Sequence, residues 1–194
     1  MAYGRVVTAP MISPAAATFV SIVDGIADDR LGAATPCPDY DVAGLVGHLL
    51  HRGPQLVGAA TKEVVPAAAP EPADPATWRA ELLALVDRLD GVWSQPEAWE
   101  GSTRVEGPME MPASTIGGIV LAEMVVHGWD LARATGQNPI WPGPLLDTVH
   151  QDMAAMAPMG RKMGAFGPEV EIPADAPTIA RLLGVVGRDP AWTP

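Results

Sequence analysis

A chain of 194 residues with a formal net charge of −11 speaks against nucleic acid as a partner, because phosphate binding depends on lysine and arginine displacing counterions. The single cysteine, Cys37, rules out an internal disulfide and a thiolate cluster, so any bound metal must rest on histidine and carboxylate. Hydrophobic residues make up 48% of the chain but aromatic ones only 5%, which favours closely packed helices over a sheet of bulky side chains.

The length suits one domain, residues 1–194, around one core. At the N-terminus Arg5 precedes a segment interrupted by Pro10, Pro14 and Asp24, unlike the unbroken apolar region of a signal peptide, so a cytoplasmic location is expected. Ser13-Pro14 reads as an N-cap followed by a first-turn proline. With Phe19, Ile22, Val23 and Ile26 at helical spacing, it predicts a first helix from about Pro14 to Asp29. Thr35-Pro-Cys-Pro-Asp39 is too proline-rich for regular structure, and Asp41 then caps a second helix in which Leu45, His48, Leu49 and Arg52 share a side.

Pro66 to Pro75 reads as a loop. Asp74-Pro75 signals a third helix carrying Trp78, Leu82, Leu85, Val86 and Leu89 and ending near Gly91 to Ser94. Gly101 to Pro112 predicts a short extended crossover, after which Ser114 opens a fourth helix that runs to about Thr135 and stops at Gly136. Its apolar stretch Ile116 to Val126 contains Glu123 and falls short of the ~20 residues that span a bilayer, so it reads as a core helix with no membrane role.

Pro142 to Pro144 turns the chain into a fifth helix, about Leu145 to Met156, closed by Pro158 and Gly160, with Met153 and Met156 as packing residues. Val170-Glu-Ile172-Pro reads as extended, and Asp175 as the cap of a last helix through Ile179, Leu182, Leu183 and Val186. The fold class is all-α, without internal repeats.

Glu123-Met-Val-Val-His127 places two donors four residues apart, ~40° apart in azimuth and ~6 Å in rise on an α-helix, so they can share one ion. An unpaired carboxylate in so apolar a helix would cost several kcal/mol, and coordination removes that penalty. The same spacing also suits an ordinary hydrogen-bonded pair, so a third ligand is required. His48, amid Leu45, Val46, Leu49 and Leu50 on another helix, is the candidate; its bland alternative is a core histidine bonded to a backbone carbonyl. Two histidines and one carboxylate leave coordination positions open, as catalytic zinc sites do, and the set also suits nickel, manganese or iron.

Other residues admit two readings each. Asp130 either orients a ligand from behind or is solvated, and His51 is a fourth ligand, a proton shuttle or a solvated residue. His150 reads as a surface residue. Arg52 and Arg104 either bind the carboxylates of an acidic thiol or substrate or make surface pairs, and Cys37 reads as a small packed residue. Trp93, Trp99 and Trp129 read as core or as the lining of an apolar cleft.

Thr35-Pro-Cys-Pro-Asp-Tyr-Asp-Val42 followed by His48, together with Glu123-Met-Val-Val-His-Gly-Trp-Asp-Leu-Ala132, resembles the signature of the DinB-like superfamily. More narrowly, these segments resemble the actinobacterial family typified by the metal-binding domain of mycothiol-dependent maleylpyruvate isomerase. Arg181-Leu-Leu-Gly-Val-Val-Gly-Arg-Asp-Pro190 is similar to the ending of its short stand-alone members. The resemblance implies a DinB-like four-helix bundle, up-and-down with a crossover, plus extra C-terminal helical segments. It also implies a divalent metal, zinc by preference and nickel as the alternative, on His48, Glu123 and His127, with mycothiol as co-substrate. The isomerases carry an additional C-terminal domain that contributes to their active site, and this chain is expected to be too short for it. The functional expectation is therefore a metal-dependent, mycothiol-type thiol transferase or isomerase whose partners are a small thiol, a small electrophile and a second copy in a homodimer. The alternative is a non-catalytic metal-binding module that mediates dimerisation or protein interaction.

Overall fold

Each apolar periodicity in the sequence becomes a helix in the computed structural model, which describes residues 11–66, 69, 73–105 and 108–194. The helices are α1 (Ile12–Asp24), α2 (Val42–Thr61), α3 (Trp78–Trp93), α4 (Ala113–Ala134), α5 (Gly143–Lys162) and α6 (Thr178–Val185). Short 3-10 turns lie at Asp28–Arg30 and Pro96–Trp99. Two-residue strands, β1 (Ser102–Thr103) and β2 (Met111–Pro112), pair antiparallel with Ser102 opposite Pro112. They lie within the segment expected to cross over in extended form, and residues 106–107 between them lie outside the described residues. So do 67–68 and 70–72 of the expected proline-rich loop.

Several boundaries differ from the sequence expectation because side chains that could cap locally are engaged elsewhere. α1 begins before Ser13, whose hydroxyl donates to Asp90 Oδ1 on α3 at 2.7 Å. It ends at Asp24 rather than Asp29, because Gln137 donates to Ile22 O and Arg79 to Val23 O and Ile26 O, supplying the terminal carbonyls with side-chain partners. Ser114 is not a cap either, as α4 starts at Ala113. α6 starts at Thr178 instead of being capped by Asp175, with the Thr178 hydroxyl donating to Asp147 of α5. Asp41 behaves as expected and accepts from Gly44 N–H at 2.7 Å.

Pro158 does not end α5. An interior proline normally costs ~3 kcal/mol or more, but the helix continues because Ala157 and Gly160 are buried and Arg161 donates to Val185 O at 2.9 Å, tying its last turn to α6. Val170 to Pro173 forms no strand, although Val170 N–H donates to Gly184 O.

The hydrogen bonds fix the helix directions. Ser13 at the start of α1 meets Asp90 near the end of α3, and Arg79 at the start of α3 meets the end of α1, so these two run antiparallel. α2 and α3 run parallel: Leu85 packs where a Cβ on Gly53 would be 2.2 Å away, and further along Trp93 Nε1 donates to Leu56 O. α4 runs parallel to α1, with Phe19 against Gly128 and Gln137 against Ile22, and antiparallel to α2. The bundle is therefore up, down, down, up. The end of α2 and the start of α3 therefore lie at opposite ends of the bundle.

α4 is the central helix. Its 22 residues are long and apolar enough to cross a membrane by length and composition, but 78% of its apolar window is buried inside the protein. Trp78, Trp93, Phe19, Leu45, Leu82, Ile116 and Leu121 fill the core around it, each worth ~1.5–3 kcal/mol on full burial for a side chain of the aliphatic or phenyl class. Trp93, Trp99 and Trp129 are buried.

Candidate metal centre

α4 changes its winding at the residues of interest. Between the α-helical segments Ala113–Ala122 and Gly128–Ala134, residues Glu123–His127 form a π-helical turn. Such turns are rare and occur mostly as single insertions in α-helices, frequently at functional sites. Nothing in the local sequence announces it.

The antiparallel packing of α2 on α4 brings His48 to this turn. His48 Nε2 lies 3.6 Å from Glu123 Oε2, and His127 Nε2 lies 3.4 Å from the same oxygen. One donor atom from each of the three residues falls within 4.8 Å of the others. These spacings are long for a charge-assisted hydrogen bond, which runs to about 2.7–2.9 Å. They match the edge of a tetrahedron whose centre is ~2.1 Å from each donor, about 3.4 Å. The two imidazoles meet edge to face at 5.3 Å, and Tyr40 stacks on His48 with its centroid 5.3 Å away.

His127 Nδ1 lies 3.0 Å from Asp130 Oδ2, and Asp130 is fully buried and also accepts from Arg188 Nη2 at 3.2 Å. A neutral His127 thus carries its proton on Nδ1 and turns the Nε2 lone pair toward Glu123 Oε2. That oxygen is buried without a hydrogen-bond partner among the described residues. In that tautomer two acceptors face one another, and either a proton on Nε2 or a bound cation relieves their repulsion. Burial pushes the Glu123 carboxyl up, but positive charge on the two imidazoles, His127 first and then His48, together with Arg52 outweighs it and holds the group below the ordinary glutamate range. Two imidazole nitrogens and an ionised carboxylate fit a divalent ion such as zinc, nickel or iron.

Asp130 sits behind His127, where an orienting residue belongs. His51 contributes no atom to the three-residue group, and its Nδ1 is buried without a partner among the described residues. Arg52 donates to Gln55 Oε1 at 3.2 Å, and Arg104 makes a surface contact with Glu110 at 4.0 Å. His150 is half-buried rather than on the open surface; burial depresses its pKa, reinforced by Arg181 and opposed by Asp147. Cys37 is buried and its thiol pushed up by desolvation, as expected of a packed residue.

Two participants escaped the sequence reading. Tyr40 belongs to the quoted signature but carried no assigned role, and Arg188 stands in the C-terminal run, 58 positions from Asp130. Burial pulls the guanidinium down, but Asp130, with Cys37 and Glu123 adding to it, outweighs burial and holds the group above the ordinary arginine range.

Beside the centre, Ala34, Thr35, Cys37, Asp39, Tyr40 and Asp41 help line an open groove of about 310 Å³. A small space of about 20 Å³ is lined by apolar side chains together with Arg52 and Glu123. Neither is lined by Trp93, Trp99 or Trp129, so of the two readings offered for these tryptophans the core reading holds, and the groove is built on the proline-rich turn.

Comparison with known proteins gives a consistent result. The family model described as the mycothiol maleylpyruvate isomerase N-terminal domain matches residues 12–132, a span that includes His48, Glu123 and His127. Two relatives, each named an uncharacterized protein of Mycobacterium tuberculosis, are 25% identical over 173 residues, covering 88% of this chain and 91% of theirs. Two crystal structures, one of the mycothiol-dependent maleylpyruvate isomerase and one of a point mutant of it, superpose with a TM-score of 0.61. Their identities are 16% and 15%, over 95% of this chain and 80% of theirs. At such identities the superposition speaks to the fold.

Proposed function

Because the chain belongs to the mycothiol maleylpyruvate isomerase N-terminal domain family, we propose that it is a metal-dependent enzyme acting through a small thiol of the mycothiol type. It transfers that thiol to a small electrophile or isomerises the electrophile with the thiol's help. His48, Glu123 and His127 hold the divalent ion, with zinc the first choice by donor set and nickel the alternative. The observation that carries this reading is the convergence of His48 Nε2 and His127 Nε2 on one buried Glu123 oxygen, at 3.6 and 3.4 Å, where that oxygen has no hydrogen-bond partner among the described residues.

When bound, such an ion stabilises a thiolate, or a hydroxide from water, at neutral pH. The protein's residues do the rest. Asp130 keeps the proton on His127 Nδ1 and frees Nε2 for ligation, Tyr40 holds the His48 ring by stacking, and Glu123 supplies the negative charge. Three protein ligands leave a position for an exchangeable partner, the feature that separates catalytic zinc from closed structural sites. In the transfer the thiol gives its proton to solvent, sulfur forms a bond to the electrophilic carbon, and the adjacent atom takes a proton back. The groove at residues 32–41 is the natural approach for small molecules, since its Tyr40 touches the His48 ring. We place the activity in the cytoplasm, a reading supported by a composition with a single, buried cysteine and hence no disulfide framework.

The test is a thiol-conjugation and isomerisation assay over a broad panel of electrophiles, run with and without chelator. Turnover that disappears on chelation and returns with zinc is expected. Zinc-loaded protein that turns over no electrophile with any low-molecular-weight thiol would contradict the reading.

A further inference from the structure

The buried charges behind the three donors form one chain, from His127 Nδ1 to Asp130 Oδ2 at 3.0 Å and from Asp130 Oδ2 to Arg188 Nη2 at 3.2 Å. Arg188 is 7% exposed and comes from the segment that follows α6. The turn that delivers it is tightly defined. Gly187 has φ +83°, a conformation that strains any residue with a Cβ, and a Cβ there would lie 2.7 Å from the Gly167 Cα. Arg188 N–H then donates to Leu183 O at 2.8 Å and its Nη1 to Val186 O at 3.2 Å. Backbone and guanidinium are both held in place where the side chain reaches Asp130.

A buried ion pair is a poor source of stability. Taking two charges out of water costs several kcal/mol each, and the pair recovers this only when its hydrogen bonding is saturated. Here it is not, since Asp130 Oδ1 and Arg188 Nε are buried without partners among the described residues. Apolar side chains of similar volume would attach the C-terminal segment to the bundle at least as well. They could not hold the Nδ1–H of His127.

We infer that Arg188 is a positioning residue: by fixing Asp130 it holds the His127 ring with its proton on Nδ1 and Nε2 turned toward Glu123 Oε2, which makes the segment after α6 part of the metal centre. The consequence for metal affinity rests on the proposed metal reading, whereas the consequence for the ring does not.

The experiment compares the full chain with Arg188→Met, Arg188→Gln and Arg188→Lys, using zinc alone and cobalt(II) alone as probes. Long-range proton–nitrogen NMR reads the His127 tautomer in metal-free protein, the amide spectrum reports folding, and competition titration gives metal affinity. In folded R188M we expect loss of the single Nδ1–H tautomer and a fall in zinc affinity of ~10–100-fold, the range for partners that orient a ligand. R188K should restore part of both. R188Q carries the same test where R188M does not fold. An unchanged tautomer and affinity in a folded charge-free variant would overturn the inference. Unfolding of both R188M and R188Q would also overturn it, by making Arg188 a folding residue. Should the wild-type chain take up no stoichiometric zinc, the metal reading falls, and the tautomer comparison still decides the role of Arg188.

Discussion

The two ends of the bundle treat buried polar atoms in opposite ways. Where α2 and α3 end, Trp93 Nε1 donates to Leu56 O, Trp99 Nε1 to Trp93 O and the Thr103 hydroxyl to Ala59 O, so each of these buried donors has a partner within an apolar setting. At the other end, His51 Nδ1, Glu123 Oε2, Asp130 Oδ1 and Arg188 Nε are buried without one among the described residues. An unsatisfied buried polar group costs ~1–3 kcal/mol. One end is therefore built for stability, and the other holds an arrangement that stability alone does not explain. A cation held as proposed would satisfy Glu123 Oε2 at the second end and leave the first untouched.

The sharpest way to test this contrast is to damage one end and look for the effect at the other. Trp93→Ala should destabilise the protein by ~3–5 kcal/mol, as large-to-small substitutions of buried tryptophan do, while the folded fraction keeps its zinc affinity. Denaturant titration and metal competition on the same sample would show it. A parallel loss of affinity would mean that the two ends are not separable.

His127→Ala should do the reverse. It removes one donor, so zinc affinity should fall by ~100-fold or more, with a much smaller change in the stability of the metal-free protein than Trp93→Ala produces. Loss of stability comparable to that of Trp93→Ala would move His127 from the site to the core.

Tyr40→Ala sharpens the contrast within the site end. The stack on His48 is worth ~0.5–1.5 kcal/mol, so zinc should bind about 2–10-fold more weakly, and the visible spectrum of bound cobalt(II) should keep its shape. Spectral change on this substitution would show that the stack sets the ligand geometry itself.

The smallest effect is expected at His150 on α5, away from both ends. Burial lowers its folded pKa below 6.5, so the unfolded chain takes up a proton first as the pH falls. Stability should decline as pH drops below about 6.5 and level off once the folded form is protonated too. His150→Gln should flatten that part of the pH profile, leaving zinc affinity at neutral pH unchanged.

Much of this was legible in the sequence because it depends on near neighbours. Asp41 caps α2 through an amide three residues away, and the spacing of Glu123 and His127 on one helix suffices to put their donor atoms together. What local patterns miss is set by partners far along the chain. Ser13 looks like a cap and is used 77 positions away by Asp90. Pro158 looks like a stop, but its helix is held by packing on α6. The parallel course of α2 and α3 follows from the long connection 62–77, which periodicity does not orient. Arg188 lay in a recognised segment, yet its task is visible only when Asp130 is seen buried against it.

The proposed activity requires three side chains to share one cation, and a zinc-soaked crystal with an anomalous map at the zinc edge addresses that directly. It should show a single strong peak within ~2.0–2.2 Å of His48 Nε2, Glu123 Oε2 and His127 Nε2, with a further position taken by solvent. A fully soaked crystal with no peak there, or with the three side chains turned away from one another, would contradict it.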